Sequence, residues 1–471
     1  MGLMTQDQYV ESLRDGRVIY WDGDKITDPP AHPNFRVPIE VAKGDYDYDN
    51  PEKRDIITYK TEDGDLAHRV FQVPRTEEDL QARIKLAHNM SMVGGVTGVY
   101  MALLQIKDKV AELNPQYADN IENLYRYARA NDLRGAEVIT DAKGDRSRKA
   151  HEQDDPDLFL RIVERNNEGI VVRGAKFHIS AGSLVHELVV MPTKGMRQDE
   201  ADYAVSFSIP VNAPGVKMIN RSFAPAELNE FDYPASSHHS CPEAMVIFDD
   251  VLVPWDRVFL AGESRLATVF ARSLGLWERT MGLVAAAESA QMLVGLAQLV
   301  VEMQGKERDI GAQNTIAELV CYAEMIKMGL DYACKHYETT PTGMIHPNIL
   351  AVNAAKYYYA ANYHAMMRNI HDLGGGLVLT LPMEADLRHP EAGAYLRKYM
   401  HTKPDVDVED RMRVYNMIRD YTADAYGGWH QVTTLQAGGG LIAQRIMMNQ
   451  LFDMDGAKAK ARRAAGIRPK H

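Results

Sequence analysis

In the stretch VITDAKGDRS, Ile139, Thr140 and Asp141 lead into Lys143, Gly144, Asp145 and Arg146. A glycine between two cations in a tight turn lets backbone N–H groups and positive side chains approach an anionic group such as a phosphate. Further on, GIVVRGAKFHISAGS reads as strand, turn and strand, with Lys176, His178 and Ser180 on alternate positions and therefore on one face. A cationic loop facing a hydroxyl-bearing strand suits a ligand with a phosphate tail and a hydrogen-bonding ring. Thr140 and Asp141 read as the end of a helical segment. Two isolated acids stand out: Glu137 in RGAEVITD and Glu243 in HSCPEAMVIFDD. Glu137 can serve as a base, bind a cationic or N–H group, or form a structural ion pair. The glycines Gly438, Gly439 and Gly440 allow backbone to approach a planar or phosphate-bearing ligand, or simply join two helices. His238, His239 and Cys241 form a local cluster, but neighbouring histidines point apart and no second ligand pair lies at useful spacing, so no metal is expected. His364 and His371 share a helix face two turns apart, too far for one ion. His401, His430 and the 238–239 pair remain candidates to line a substrate pocket.

These residues must be positioned by a chain of 471 residues, enough for two to four structural units. The first 75 or so are rich in Asp, Pro and Tyr and read as an irregular entry segment. From Thr76 to Asn131 the apolar spacing is helical. From about Leu158 to Phe259, short β-branched runs between Pro, Gly and Asn give enough strands for a small barrel or sandwich. Long helices follow from Ser264, apolar on more than one face, as in a bundle or a subunit interface. The expected class is therefore α+β, with a mostly helical domain at 1–140, a β domain at 141–265 and a helical bundle at 266–471. That order is the order of the acyl-CoA dehydrogenase-like fold. The basic tail AKAKARRAAGIRPK reads as a solvated final helix. A net charge of −12 argues against nonspecific nucleic-acid binding and against an anionic membrane surface. With no basic-then-apolar start, no long charge-free run and only Cys241, Cys321 and Cys334, a soluble cytoplasmic protein without disulfides is expected. No GxGxxG stands at a strand-to-helix junction, so the chain is not expected to bind NAD(P)H.

Several long segments in order carry a resemblance: DQYVESLRDGRVIYWDGDKI, PDLFLRIVERNNEGIVVRGAK, GGGLVLTLPMEADL and DAYGGWH. Over essentially its whole length the chain resembles the 4-hydroxyphenylacetate 3-monooxygenase flavoproteins, a family that includes 4-hydroxybutyryl-CoA dehydratase. The resemblance implies FAD held between β domain and bundle. Ile139, Thr140, Asp141, Lys143, Gly144, Asp145, Arg146 and Ser180 would lie on one side of it, and Gly438, Gly439 and Gly440 on the other. It implies a homotetramer that receives FADH2 from a separate flavin reductase. With O2 as co-substrate, it would hydroxylate an aromatic or heteroaromatic small molecule through a flavin C4a-hydroperoxide. Catalytic roles fall on Tyr100, Glu137 and Glu243, and substrate contacts on Val96, Tyr100 and Thr193. The phenol hydroxylases grip their substrate with an Arg, a Tyr four residues on, and a later His. Here Val96 replaces the Arg, Tyr100 keeps the Tyr and Glu137 replaces the His, so 4-hydroxyphenylacetate is not the expected substrate.

The dehydratase's iron–sulfur ligands fall on Val96, Tyr100, Cys321 and Met328, of which only Cys321 offers a thiolate. No iron–sulfur cluster or metal is expected, and Cys321 reads as a buried helix residue. The runner-up is a cluster-free acyl-CoA dehydratase or isomerase relative using Glu137 or Glu243 as base. A third reading, a scaffold with a decayed flavin site, is opposed by the intact TDAKGDR loop.

Overall fold

Prolines and Asx residues in the first 75 positions act as helix starts rather than as breakers. The computed structural model describes residues 2–223 and 229–467. In it Thr5 and Gln8 close a capping box on Gln6–Ser12, Pro33 opens Pro33–Lys43, and Asn50 with Pro51 opens Pro51–Ile57. Proline suits the first helical position because its missing N–H would have no partner there. The entry segment is thus largely regular, which corrects the reading from composition. It also supplies strands β1 (Ile19–Trp21) and β2 (Asp24–Ile26), followed by a separate hairpin of β3 (Thr58–Lys60) and β4 (Leu66–His68). Helices Glu77–Ala87, Met92–Val96, Val99–Leu113 and Pro115–Ala130 come next.

The β region comprises β5 (Gly135–Val138), β6 (Arg161–Arg165), β7 (Gly169–Ser180), β8 (Glu187–Val190), β9 (Val205–Pro210), β10 (Val216–Arg221), β11 (Glu243–Pro254) and β12 (Val258–Ala261). They form a six-stranded sheet in the order β2-β1-β10-β11-β7-β6 and a four-stranded sheet in the order β12-β9-β8-β5. The inner faces meet at Phe207 and Phe248, edge to face at 5.7 Å. Because β1 runs parallel to β10, the entry segment is built into this sandwich, and both share one hydrophobic core.

A second core lies inside the bundle of Ser264–Met303, Ile310–Lys335, Ile349–Gly374, Val408–Thr422 and Ala425–Gln436. The 40-residue helix Ser264–Met303 bridges the two cores, with Phe270, Leu274 and Trp277 in the first and Leu283 and Val284 in the second. By length and composition it could cross a membrane, yet half of its most apolar window is buried in the fold. Glu278 and Arg279 sit where it passes from one core to the other. The last helix, Met454–Ala464, buries none of its residues; of the basic tail, residues 468–470 lie outside the described residues.

Candidate functional site

Thr140 and Asp141 follow a strand, not a helix. Helix Pro115–Ala130 ends before them, and the β-branched run at 138–140 continues β5, which pairs in parallel with β8. Asp141 is anchored from below by the ammonium of Lys176 at 2.6 Å, with both side chains almost fully buried. Lys176 also donates to the carbonyls of Ile139 and Met191, at 2.9 and 3.2 Å. The Thr193 hydroxyl lies within hydrogen-bond distance of the Asp141 carboxylate and the Ile139 carbonyl, so this predicted substrate contact is tied into the anchor.

Lys176, His178 and Ser180 do not share a face, contrary to the alternation in the sequence. A bulge against β11 lies between Ala244 and Val246, and His178 adopts φ +57° and turns to solvent while Lys176 points inward.

Beyond the anchor the loop tip is exposed. Gly144 has φ +53°, and a Cβ there would lie 2.6 Å from the side-chain oxygen of Gln153. Gln153 accepts the Asp145 N–H and donates to the Asp145 carbonyl, both at 2.9 Å. The Asp145 carboxylate is held below its usual range, chiefly by hydrogen bonds from Ser147. Among the described residues, no acid pairs with Lys143 or Arg146 and no hydrogen bond holds their side chains, so two cations flank a rigid turn.

The bundle carries the glycine run. The backbone N–H of Gly438 donates to Glu278 at 2.8 Å, and Arg279 Nε donates to the Gly438 carbonyl at 2.7 Å. Gly438 and Gly439 take φ of +69° and +88°, and a Cβ at Gly438 would press to 2.7 Å from Arg279 Cγ. The glycine run is thus a wall shaped around Arg279. One helix, Val99–Leu113, braces both sides. Tyr100 packs against Gly135 of β5, while Gln105 accepts from Ser273 and Trp277 of the bridging helix.

Glu137 on β5 and Glu278 on that helix therefore approach one another at the inner end of the cleft. Burial, reinforced by the charge of Glu278, pushes the Glu137 carboxyl well above the carboxylate range, and burial raises Glu278 as well. Among the described residues, no cation forms an ion pair with either. The nearby Lys356 ammonium donates to the Thr434 carbonyl at 2.8 Å and lies over the ring of Tyr359; burial lowers its pKa to about 8.

From Lys356 an aromatic wall runs along helices Ile349–Gly374 and Ala425–Gln436. Tyr363 bonds His430 Nδ1 at 2.7 Å, Tyr426 stacks on His430, and Trp429 stacks on Phe223 at 4.7 Å. His430 is partly buried, and its pKa is pushed down to about 3, chiefly by desolvation. At the far end Glu243, at the start of β11, accepts from Ser180 and from Trp429 Nε1. Burial raises its carboxyl too.

Contacts thus run from Glu137, Glu278 and Gly438 through Lys356, Tyr359, Tyr363, His430 and Trp429 to Glu243 and Ser180. Val96 and Tyr100 are both buried, and the Tyr100 hydroxyl has no hydrogen-bond partner among the described residues. Cys321 is exposed, which corrects its reading as a buried residue, and so is Met328; both are on a bundle helix, apart from Val96 and Tyr100. His401 is on the surface, whereas His364 and His371 border an open hollow on the outside of the bundle. No group of three or more His, Cys, Asp and Glu suited to a metal occurs among the described residues. Glu278, Arg279, Lys356 and Trp429 went unnoticed in the sequence. Three of them carried a signal: a charge inside an otherwise apolar helix is rarely buried without a task.

Fold and cleft together define a class, the flavin-dependent monooxygenases among the oxidoreductases, once the chain is set beside known proteins. Residues 5–260 match the 4-hydroxyphenylacetate 3-hydroxylase N-terminal family and residues 267–466 its C-terminal family. The chain belongs to that family. It is 28% identical to the 4-hydroxyphenylacetate 3-monooxygenase oxygenase component of Thermus thermophilus, over 90% of this chain and 89% of that one. It is also 28% identical to 4-hydroxybutyryl-CoA dehydratase/vinylacetyl-CoA-Δ-isomerase of Clostridium aminobutyricum, over 99% and 100%. A solved 4-hydroxyphenylacetate 3-monooxygenase oxygenase component, complexed with FAD and 4-hydroxyphenylacetate, superposes with a TM-score of 0.88. The identity there is 26%, covering 97% of each chain.

Proposed function

We propose that the chain is the oxygenase component of a two-component system. It takes FADH2 from a separate flavin reductase and hydroxylates an aromatic or heteroaromatic small molecule with O2. Three observations carry this reading: a hydrogen-bonded turn whose two cations have no ion-pair partner among the described residues, a glycine run shaped around Arg279, and aromatic contacts that lead from Lys356 to Glu243. Those features fit FAD. Lys143, Arg146 and the backbone at Gly144 suit its phosphates, while Ser180 and the glycine run border the space for its ring. When bound, FAD supplies the activation of O2 and the transfer of one oxygen atom to an electron-rich ring.

The chain's own residues do the rest. Phe223, Tyr426, Trp429 and His430 keep water from the cleft, and a neutral His430 does so without placing a charge there. Glu137 exchanges a proton with a substrate O–H or N–H, a task suited to a carboxyl raised out of its usual range. Because Val96 is a buried apolar residue, nothing at that position grips a carboxylate. Exposed apolar side chains on the bundle, among them Met325, Met328, Tyr332, Val432, Ile442 and Ile446, support assembly into a homotetramer.

Mixing the protein with FADH2 and then O2 in a stopped-flow instrument tests the reading. A transient near-ultraviolet absorbance that delays return to oxidised FAD supports it. Reoxidation at the rate of free flavin, together with stabilisation by acyl-CoA thioesters, overturns it.

A further inference from the structure

Ser180 closes β7 and Glu243 opens β11, and the two residues are paired across the sheet. The Ser180 hydroxyl lies 3.0 Å from each oxygen of the Glu243 carboxylate. From the bundle side, Trp429 Nε1 donates to the same carboxylate at 3.1 Å, and its indole is held by stacking on Phe223. A serine hydroxyl has one proton and two lone pairs, whereas an ionised carboxylate only accepts. Above its raised pKa, where the carboxylate is ionised and can only accept, Glu243 takes the Ser180 proton into its hydrogen bond. What Ser180 then offers the cleft is lone pairs alone.

We propose that Glu243 is a positioning residue that fixes the polarity of Ser180, so that the cleft favours reduced over oxidised flavin. On two-electron reduction, ring nitrogens of an isoalloxazine gain protons and change from hydrogen-bond acceptors to donors. An acceptor-only serine meets a ring N–H well and a bare ring nitrogen badly, since two facing lone pairs leave both groups unsatisfied. Trp429 contributes by tying the carboxylate to the opposite wall, which keeps Glu243 from rotating away from Ser180. This inference rests on the reading that the cleft takes FAD. It also assigns Glu243 a role different from that of an acid or base acting on substrate.

The test compares dissociation constants for oxidised FAD and, under anaerobic conditions, for FADH2 in the wild type, Glu243→Gln, Ser180→Ala and the double variant. The wild type is expected to bind FADH2 roughly tenfold more tightly, the scale of one well-made hydrogen bond near a charge. In Glu243→Gln the amide can donate to Ser180 and release its proton to the cleft, so the preference falls several-fold. Ser180→Ala, a small change at a strand end, loses the same preference, and the double variant loses no more than Ser180→Ala. Circular dichroism and the unfolding midpoint establish that each variant is folded. A merely structural role would weaken both redox states equally and leave their ratio unmoved. An unchanged ratio in Glu243→Gln, or equal affinities in the wild type, overturns the inference while the flavin reading stands. Failure of the wild type to bind FAD in either state overturns both.

Discussion

Two pairs of ionisable side chains, one at strand β5 and one just beyond its end, are built in opposite ways. Asp141 and Lys176 have opposite charges in direct contact at 2.6 Å, and Lys176 reaches two further carbonyls while Thr193 reaches Asp141. Every strong hydrogen-bonding group there is answered from within the protein. Glu137 and Glu278 would bear like charges if both were ionised, and among the described residues the one hydrogen-bond donor that meets them is the Gly438 N–H on Glu278. A closed pair is scaffold: its energy is realised on folding and nothing further is gained by adding a ligand. An open pair of like charges costs stability on folding and gains when a proton or a donor group arrives. The difference separates the part of the cleft that holds the loop in place from the part left free for chemistry.

The largest expected effect breaks the closed pair. Asp141→Ala leaves a buried ammonium without its counter-charge and should cost about 3–5 kcal/mol in denaturant unfolding. FAD affinity should fall with it, because the loop from Ile139 to Arg146 loses its anchor. Replacing both partners, Asp141→Leu with Lys176→Met, should recover most of that stability but not the flavin affinity. If Asp141→Ala loses under ~1 kcal/mol, the pair is not the anchor described.

Gly438→Ala comes next, at about 2 kcal/mol, because it combines a left-handed backbone with a side chain forced against the stem of Arg279. It should loosen the wall that holds Glu278 and leave the Asp141 anchor intact. The check is whether its effect adds to that of Asp141→Ala, as distant, independent sites do.

How legible this comparison was in the sequence depends on the length scale of each interaction. The loop announced itself because its chemistry is local: a glycine with φ +53° and two cations lie within four residues. Its anchor did not, since Lys176 looked like a neighbour of His178 and Ser180 on one strand face, whereas it continues the inward alternation of Val172 and Gly174 and the bulge after it turns His178 outward. Order and type of the larger elements were readable from periodicity, whereas the Pro-rich first 75 residues, expected to be irregular, hold helices that begin at Pro33 and Pro51, because proline begins helices as well as ending them. The Glu137–Glu278 approach joins residues from a strand and a helix far apart in the chain, and no spacing rule reaches that distance. An acid in the apolar run GLWERTMG was the available clue.

Glu278→Gln sharpens the open pair, with a smaller effect whose size depends on pH. Glu137 keeps its proton in the folded state at pH values where the unfolded chain, with a usual carboxyl pKa of about 4.3, has lost it. Stability therefore falls as pH rises from that value through the raised pKa, and is flat beyond it. Removing the Glu278 charge lowers the folded pKa of Glu137 and narrows the window. The variant should match the wild type near pH ~4 and exceed it by on the order of 1 kcal/mol at alkaline pH. A variant less stable than wild type across the whole range would mean that Glu278 serves chiefly to hold Gly438.

Tyr100 tests the smallest effect and the boundary between the two kinds of region. Its ring is fully buried 5.7 Å from Phe71, its hydroxyl lies against Gly135 of β5, and that hydroxyl has no partner among the described residues. Inside a closed scaffold an unanswered hydroxyl is a cost, so Tyr100→Phe should leave stability unchanged or raise it by up to ~1 kcal/mol. Inside an open region the same hydroxyl is reserved for a ligand, and its loss should lower turnover by roughly tenfold or more while flavin affinity stays unchanged. Thermal unfolding and turnover, measured on one preparation, therefore place Tyr100 on one side or the other. Stability maintained with activity lost joins Tyr100 to Glu137 in an open patch beneath the cleft. Stability maintained with activity intact makes it part of the scaffold, and the open region then ends at Glu137.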